Sequence, residues 1–323
     1  MHFRTFGRTG WQVSDIGYGM WGMGGWSGSD DEESIRSLHR AVELGCNFFD
    51  TAWAYGEGRS ERLLGQLIHA FPKHRLYVAT KIPPKNLKWP SKPDYRIEDT
   101  FPPHHIREYV EKSLRNLNLD TIDLIQFHVW NDSWSDDKQW QHAVQDLKRE
   151  GLVRAIGISV NRWEPENVLQ TLQTGLIDAV QVIYNIFDQA PEDSLFPLCQ
   201  ELNVAVIARV PFDEGSLTGT LTTGSTWPKG DWRNTYFVEE NLRSSVNRAE
   251  AVRALLPRDM TMPEMALRFI LSNPDVCTTI PGMRKIKNAE ANIQASDKGG
   301  LGTELLQQLH QHRWERKPTP WSQ

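Results

Sequence analysis

Apolar residues along this chain come in short pulses separated by longer stretches with helical spacing. The pulses lie at Ile16–Met20, Asn47–Asp50, Leu76–Lys81, Ile122–His128, 153–159, 179–184, 204–210 and Val276–Ile280. Between the first two, Ile35, Leu38, Ala41 and Val42 recur at helical spacing. They follow a Gly-rich loop, Trp21–Ser29, and a helix start at Ser29-Asp30-Asp31-Glu32-Glu33, where acids favour the N-terminal end of the dipole. The same alternation predicts helices over Ser60–His69, Ile106–Leu117, 138–149, 165–174, 192–202, 240–255, 263–272, from Asn288 onward, and 303–315. Connections of that length suit parallel strands joined by right-handed crossovers. Eight β/α units predict a single (β/α)8 TIM barrel domain over 1–323, in the α/β class. A small hairpin precedes it, Phe3–Phe6 turning through Gly7–Gly10 into Trp11–Ser14, and an extra C-terminal helix follows it.

Two stretches interrupt the rhythm. Ile82–His105 carries Pro83, Pro84, Pro90, Pro93, Pro102 and Pro103, which predicts a long loop on the surface or over a site. Phe212–Glu239 is irregular, with Gly215, Gly219, Gly224, Pro228 and Gly230.

Charge narrows the partners. Lys+Arg 36 against Asp+Glu 41 gives a net charge of −5 with no long basic run, which argues against nucleic acid. No apolar run approaches membrane-spanning length and the N-terminus has no apolar signal core, so no membrane role is expected. Cys46, Cys199 and Cys277 are far apart and read as reduced thiols of a cytoplasmic protein. Thirteen tryptophans are many, and Trp21, Trp53, Trp89, Trp130 and Trp134 fall in or beside loops. Packing explains each as simply as a pocket does.

Function in such a barrel sits where the strands end. Those ends hold Asp50, then Tyr55 in the loop beyond it, Lys81, and His128. Taken alone, Asp50 caps the next helix as readily as it serves a site. Taken together, an acid, a phenol, an ammonium and an imidazole on neighbouring strands make a proton-transfer set. A phenol, with a reference pKa of about 10, is a poor acid near neutrality. An adjacent ammonium lowers that value, and an aspartate holds the ammonium in place. The imidazole orients a substrate oxygen. Such a set suits protonation of a carbonyl oxygen while a second group delivers hydride.

The segments DTAWAYG, VATK and LIQFHVW, in that order and at those strand positions, resemble the signature set of the aldo-keto reductases. FRTFGRTGWQVSDIGYGMWG near the start and TTIPGMRK with Asn292 near the end extend the likeness over nearly the whole chain. The resemblance implies Tyr55 as general acid, Asp50 and Lys81 tuning it, and His128 positioning the carbonyl. It implies NADPH lying across the rim, ahead of NADH as the alternative. The implied contacts are Gly19, Met20, Trp21, Asp50, Ser159, Gln181, Arg209, Val210, Pro211, Phe212, Gly282, Met283, Arg284, Asn288 and Asn292. Arg284, with Lys285 and Lys287 nearby, supplies cationic charge for a 2′-phosphate. Many family members carry Ser-Asn after the fifth strand; here Val160 separates Ser159 from Asn161, so Asn161 is left open. Arg209 stands where many members stack an aromatic ring on the nicotinamide.

The expected substrate is a small carbonyl compound, aromatic aldehydes included, held by Trp21, Trp53 and Trp130. The expected assembly is a monomer or weak homo-oligomer. A cofactor-binding sensor or accessory subunit of the same fold is the competing reading. Gly17–Gly22 matches G-x-G-x-x-G, but one doubly wound unit leaves eight β/α repeats and the Lys81 and His128 strand ends unexplained. His310 and His312 lie on the terminal helix, so no metal is expected.

Overall fold

The computed structural model describes residues 1–25 and 30–322. The last part of the glycine-rich loop and the helix start at Ser29 lie outside the described residues. Strands β1 (Phe3–Phe6) and β2 (Trp11–Ser14) pair antiparallel, Phe3 against Ser14 and Phe6 against Trp11. The barrel strands follow as β3 (Tyr18–Gly19), β4 (Phe48–Asp50), β5 (Tyr77–Ile82), β6 (Ile122–Phe127), β7 (Val153–Ser159), β8 (Ala179–Ile183), β9 (Ala205–Arg209) and β10 (Val276–Thr279). They form one eight-stranded parallel sheet in sequence order. Parallel bridges from Ile16 to Thr279 and from Gly19 to Gly282 close it. At that seam Gly17 N–H donates to the Thr279 carbonyl at 2.8 Å, and Gly19 N–H to that of Pro281 at 3.0 Å. A side chain at Gly19 would put its Cβ 2.5 Å from the Ile280 carbonyl oxygen, so glycine there serves closure.

The outer layer comprises α1 (Asp31–Glu43), α2 (Arg59–Ala70), α3 (Ile97–Thr100), α4 (Pro103–Leu117), α5 (Lys138–Arg149), α6 (Leu169–Leu172), α7 (Leu195–Leu202), α8 (Arg233–Tyr236), α9 (Glu239–Arg253), α10 (Met262–Leu271), α11 (Ile286–Lys298) and α12 (Thr303–His310). Asp30 caps α1 by accepting from the Glu33 N–H. The inward stripe Leu38, Ala41 and Val42 is buried.

Several boundaries differ from the sequence expectation, and three show why. Helix α4 starts at Pro103 and not Ile106, since proline at the first helical position lacks only a donor the helix does not use there. Helix α6 is a single turn within the expected 165–174, its N–H groups at Gln170 and Thr171 capped by Asp132 from another loop. Helix α12 stops at His310 because the chain beyond it is drawn onto the barrel, where the Trp314 N–H donates to the Phe187 carbonyl at 2.8 Å.

The hairpin seals the N-terminal end of the barrel. Phe6 and Val13 meet Phe48, Leu124 and Ile207 in a buried layer to which Ala79, Ala155, Ala179 and Ala205 also belong. Small residues on several strands leave room for the Phe6 and Phe48 rings, whose centroids lie 5.4 Å apart. No helix of the described residues is long and apolar enough to cross a membrane.

Candidate active site

At the opposite end of the barrel the strands finish in charged and polar residues. Lys81, the penultimate residue of β5, is fully buried. Its ammonium donates to Asp50 Oδ1 at 2.5 Å and to the Thr51 carbonyl at 2.8 Å. The second oxygen of Asp50 accepts from Gln126 Nε2 of β6 at 3.1 Å and from Gln181 Nε2 of β8 at 2.7 Å. A carboxylate with a paired cation and two amide donors is satisfied on both oxygens, which a buried charge requires.

Tyr55 sits above this pair in the loop between β4 and α2, half-buried, its backbone turned by a hydrogen bond from its N–H to the Ala52 carbonyl at 3.0 Å. Lys81 Nζ lies 5.3 Å from the Tyr55 ring centre, and the His128 ring lies 5.8 Å away in an edge-on arrangement. Burial pushes the Tyr55 phenol above its ordinary value and outweighs the pull of the Lys81 ammonium in the other direction. The ammonium acts in the expected sense, and desolvation outweighs it. His128 follows β6, and burial, with the positive charges of Lys81 and Arg209, holds its pKa well below the usual value. The imidazole is accordingly neutral, and its Nδ1 is buried without a hydrogen-bond partner. The ring of Trp89 meets it edge-on at 5.9 Å.

Arg209 closes β9. Its Nη2 donates to the Val160 carbonyl at 3.0 Å, while its Nε is buried and unpartnered. Burial, with Arg162 beside it, lowers its pKa to about 10. Arg162 in turn pairs with Glu214 at 2.6 Å.

The remaining candidates fall into two groups. Ser159 and Gln181 face each other in register on β7 and β8, and Phe212 is half-buried just beyond β9, between the buried Pro211 and Asp213. Gly282 and Asn288 are exposed, and Arg284 is half-buried with its stem 3.4 Å from where a Gly22 Cβ would lie. Asn292 is buried on the second turn of α11. By contrast, the Met20 and Met283 side chains are fully buried in the core, and the Met283 carbonyl accepts from Tyr18 and Ser37.

The tryptophans also divide. Trp21 is 45% exposed and meets Trp232 edge-on at 5.6 Å. Trp53 is engaged by α4, with Tyr109 at 4.8 Å and Lys112 over its ring. Trp130 contradicts the expectation of a pocket wall. It is fully buried among Phe101, Phe127, Trp134 and Trp140, with its Nε1 donating to Thr171 at 2.8 Å. An indole with apolar faces and one satisfied donor belongs in a core. Asn161 is committed as well, donating to the Ser91 carbonyl and to Glu164 and accepting from the Trp130 N–H.

Gln126 was not singled out from the sequence. The signal was present: one amide in the apolar run Ile122–Phe127, at a position whose side chain faces the barrel interior. Trp89 also reaches the site, from the proline-rich stretch after β5.

With this geometry established, similarity to known proteins is informative. The model of the Aldo/keto reductase family matches residues 15–313. The NADH-specific methylglyoxal reductase of Escherichia coli (strain K12) is 30% identical over 305 residues, covering 90% of this chain and 91% of that protein. An uncharacterized oxidoreductase of Bacillus subtilis (strain 168), YqkF, is 31% identical over 313 residues, covering 97% and 96%. Among solved structures, the holo form of aldo-keto reductase AKR11C1 from Bacillus halodurans superposes with a TM-score of 0.77 at 27% identity, covering 100% of both chains.

Proposed function

The chain belongs to the aldo/keto reductase family of NAD(P)H-dependent oxidoreductases, and from that premise we propose that it is an NADPH-dependent carbonyl reductase with Tyr55 as its general acid. The observation that carries this reading is the fully buried Asp50–Lys81 pair beneath a half-buried Tyr55 that faces a neutral His128. The bound nicotinamide cofactor would supply the hydride. Everything else falls to side chains of this chain.

The Tyr55 hydroxyl donates its proton to the carbonyl oxygen as negative charge develops there. Lys81, held by Asp50 and the Thr51 carbonyl, stabilises the phenolate left behind. Neutral His128 donates a hydrogen bond to the same oxygen, and its unpartnered Nδ1 leaves the ring free to take the tautomer this needs.

The residues present fit a dinucleotide. Arg209 Nε and Gln126 Oε1 are buried polar atoms without partners at the rim. Helix α11 begins with no acid in its first turn and with Arg284 and Lys285 just before it, a favourable place for phosphate. Arg284, Lys285 and Lys287 support NADPH, since a guanidinium fork matches the 2′-phosphate. Gly282, Asn288 and Asn292 stand near that end, and Ser159, Gln181, Val210, Pro211 and Phe212 near the other. Small aldehydes, aromatic ones included, are the proposed substrates, with the exposed Trp21 and with Trp89 against the His128 ring as the aromatic side chains available to them.

Initial rates with NADPH and NADH against a panel of aliphatic, aromatic and 2-oxo aldehydes test the proposal. Turnover with NADPH is expected. Arg284→Ala should weaken NADPH binding by about tenfold or more, the scale of a lost charge-assisted pair, and leave NADH nearly unaffected. Equal loss for both cofactors would contradict the 2′-phosphate assignment.

A further inference from the structure

The chain beyond α12 holds a buried charge cluster that the proton-transfer machinery does not use. The Arg316 side chain is 4% exposed, Asp188 6% and Asp213 2%. Arg316 Nε donates to Asp188 Oδ1 at 3.0 Å, and its Nη2 donates both to Asp188 Oδ2 and, at 2.7 Å, to Asp213 Oδ1. The guanidinium lies over two indoles, 4.7 Å from the Trp163 ring centre and 4.5 Å from that of Trp314. A guanidinium removed from water is tolerated where carboxylates accept from it, so the tail, the loop after β8 and the loop after β9 are fixed relative to one another, with Arg316 Nη1 left buried and unpartnered.

What they fix is a strained stretch. Val210 has φ 57°, Asp213 φ 45° and Glu214 φ 56°. A β-branched residue in the left-handed region is rare, because its Cβ crowds the backbone, and it persists only where surrounding contacts over-determine it. The contacts here are specific. Asn185 Nδ2 donates to the Val210 carbonyl at 3.0 Å and to Asp188 Oδ2 at 2.8 Å, while Asn185 Oδ1 accepts from the N–H groups of Phe187 and Asp188. Asp213 accepts from Ser216 on its other oxygen, at 2.7 Å. A continuous chain of hydrogen bonds thus runs from Arg316 through Asp188 and Asn185 to Val210, and a second from Arg316 through Asp213 to the turn beyond. Val210 adjoins Arg209, which faces Tyr55.

We propose that Arg316 is a positioning residue for the cofactor: from the C-terminal tail it holds the Val210–Ser216 segment in its strained form, and so sets cofactor affinity without touching the reacting atoms. The inference rests on the reading that this segment contacts a nicotinamide cofactor. When the competent form of a loop falls to a tenth of the population, apparent affinity falls about tenfold.

The test compares wild type, Arg316→Gln, Arg316→Lys and Asp213→Asn. Arg316→Lys keeps the buried charge and loses the fork, and Asp213→Asn leaves Arg316 paired with Asp188, so at least these two should fold. Amide hydrogen exchange on the cofactor-free proteins is the first readout. Exchange at 210–218 should accelerate at least about tenfold in the variants while β5 and β6 stay protected. Titration of intrinsic fluorescence with NADPH is the second. The dissociation constant should rise about tenfold or more, with kcat at saturating cofactor within about twofold of wild type. Unchanged affinity and unchanged exchange at 210–218 in a folded variant would overturn the inference, as would acceleration spread evenly over the barrel. A wild type that binds neither NADPH nor NADH would instead break the reading on which the inference rests.

Discussion

The two ends of this barrel are built from the same strands and solve opposite problems. At the hairpin end, Phe6, Phe48 and Leu124 fill the bore with apolar volume. At the other end, two residues beyond Phe48 on β4, Ala79 on β5 and Leu124 on β6, the residues Asp50, Lys81 and Gln126 place charge and amides in an equally dry interior. The floor is stabilised by removing surface from water. The rim is tolerated because Asp50 and Lys81 are paired, while it retains a half-buried Arg209 with no carboxylate against it among the described residues and unpartnered polar atoms at His128 Nδ1, Gln126 Oε1 and Arg209 Nε. That contrast places stability at one end and chemistry at the other, as a parallel barrel permits.

Substitutions can break the contrast in graded ways. The largest effect is expected from Lys81→Met, which removes one partner of a fully buried pair and strands the Asp50 carboxylate. Unfolding free energy should fall by about 3–5 kcal/mol, and reduction should become barely measurable in the molecules that remain folded. Urea unfolding and aldehyde-dependent NADPH oxidation check the two parts. A stable, active Lys81→Met protein would show that the pair is dispensable.

Phe6→Ala is the matching change at the floor. It should cost about 3–5 kcal/mol by opening a cavity, yet leave kcat per folded molecule unchanged, because the Phe6 ring packs on Trp11 and Phe48 and on none of the rim side chains. Loss of kcat without loss of stability would contradict the division between the two ends.

Gln126→Leu sharpens the comparison, since it carries floor chemistry into the rim. Asp50 would keep Lys81 and Gln181 but lose one amide donor. A hydrogen bond to a charged group contributes about 1.5–3 kcal/mol, so both stability and kcat should fall measurably and by less than in Lys81→Met. Thermal melts and steady-state rates read this directly.

The smallest effect is a pH dependence at His128. Its pKa is depressed in the folded protein, so the unfolded chain binds the extra proton first as pH falls below about 6.5. The stability attached to the neutral ring is therefore full above that value and is lost on acidification toward the lower folded value. His128→Gln should flatten the urea midpoint between about pH 6.5 and pH 5 relative to wild type. A steeper dependence in the variant would reverse the sign of this argument.

Much of this architecture is legible in the sequence, because its signal is local. Period and length alone separate strands from helices, and a barrel then forces the ends of β4, β5 and β6 onto one rim. Asp50, Lys81, His128 and the adjacent Tyr55 meet there in the structure for that reason. What the sequence hides depends on side-chain direction and on contacts between distant segments. Trp130 lies next to the rim in sequence yet turns into an aromatic cluster. Met20 and Met283 lie at the seam yet point into the core. Arg316 follows a helix whose pattern gives no hint that the chain leaves it to pair with Asp188 and Asp213, 128 and 103 residues away.

The proton donor is the central assignment, and Tyr55→Phe tests it most directly. NADPH oxidation at saturating aldehyde is followed in wild type and variant, with the cofactor dissociation constant measured on the same samples. Loss of one hydroxyl should lower kcat by roughly 10²–10⁴ and leave cofactor affinity and thermal stability where they were. Undiminished reduction by the variant would mean that another group protonates the carbonyl, and the account of this rim would fail.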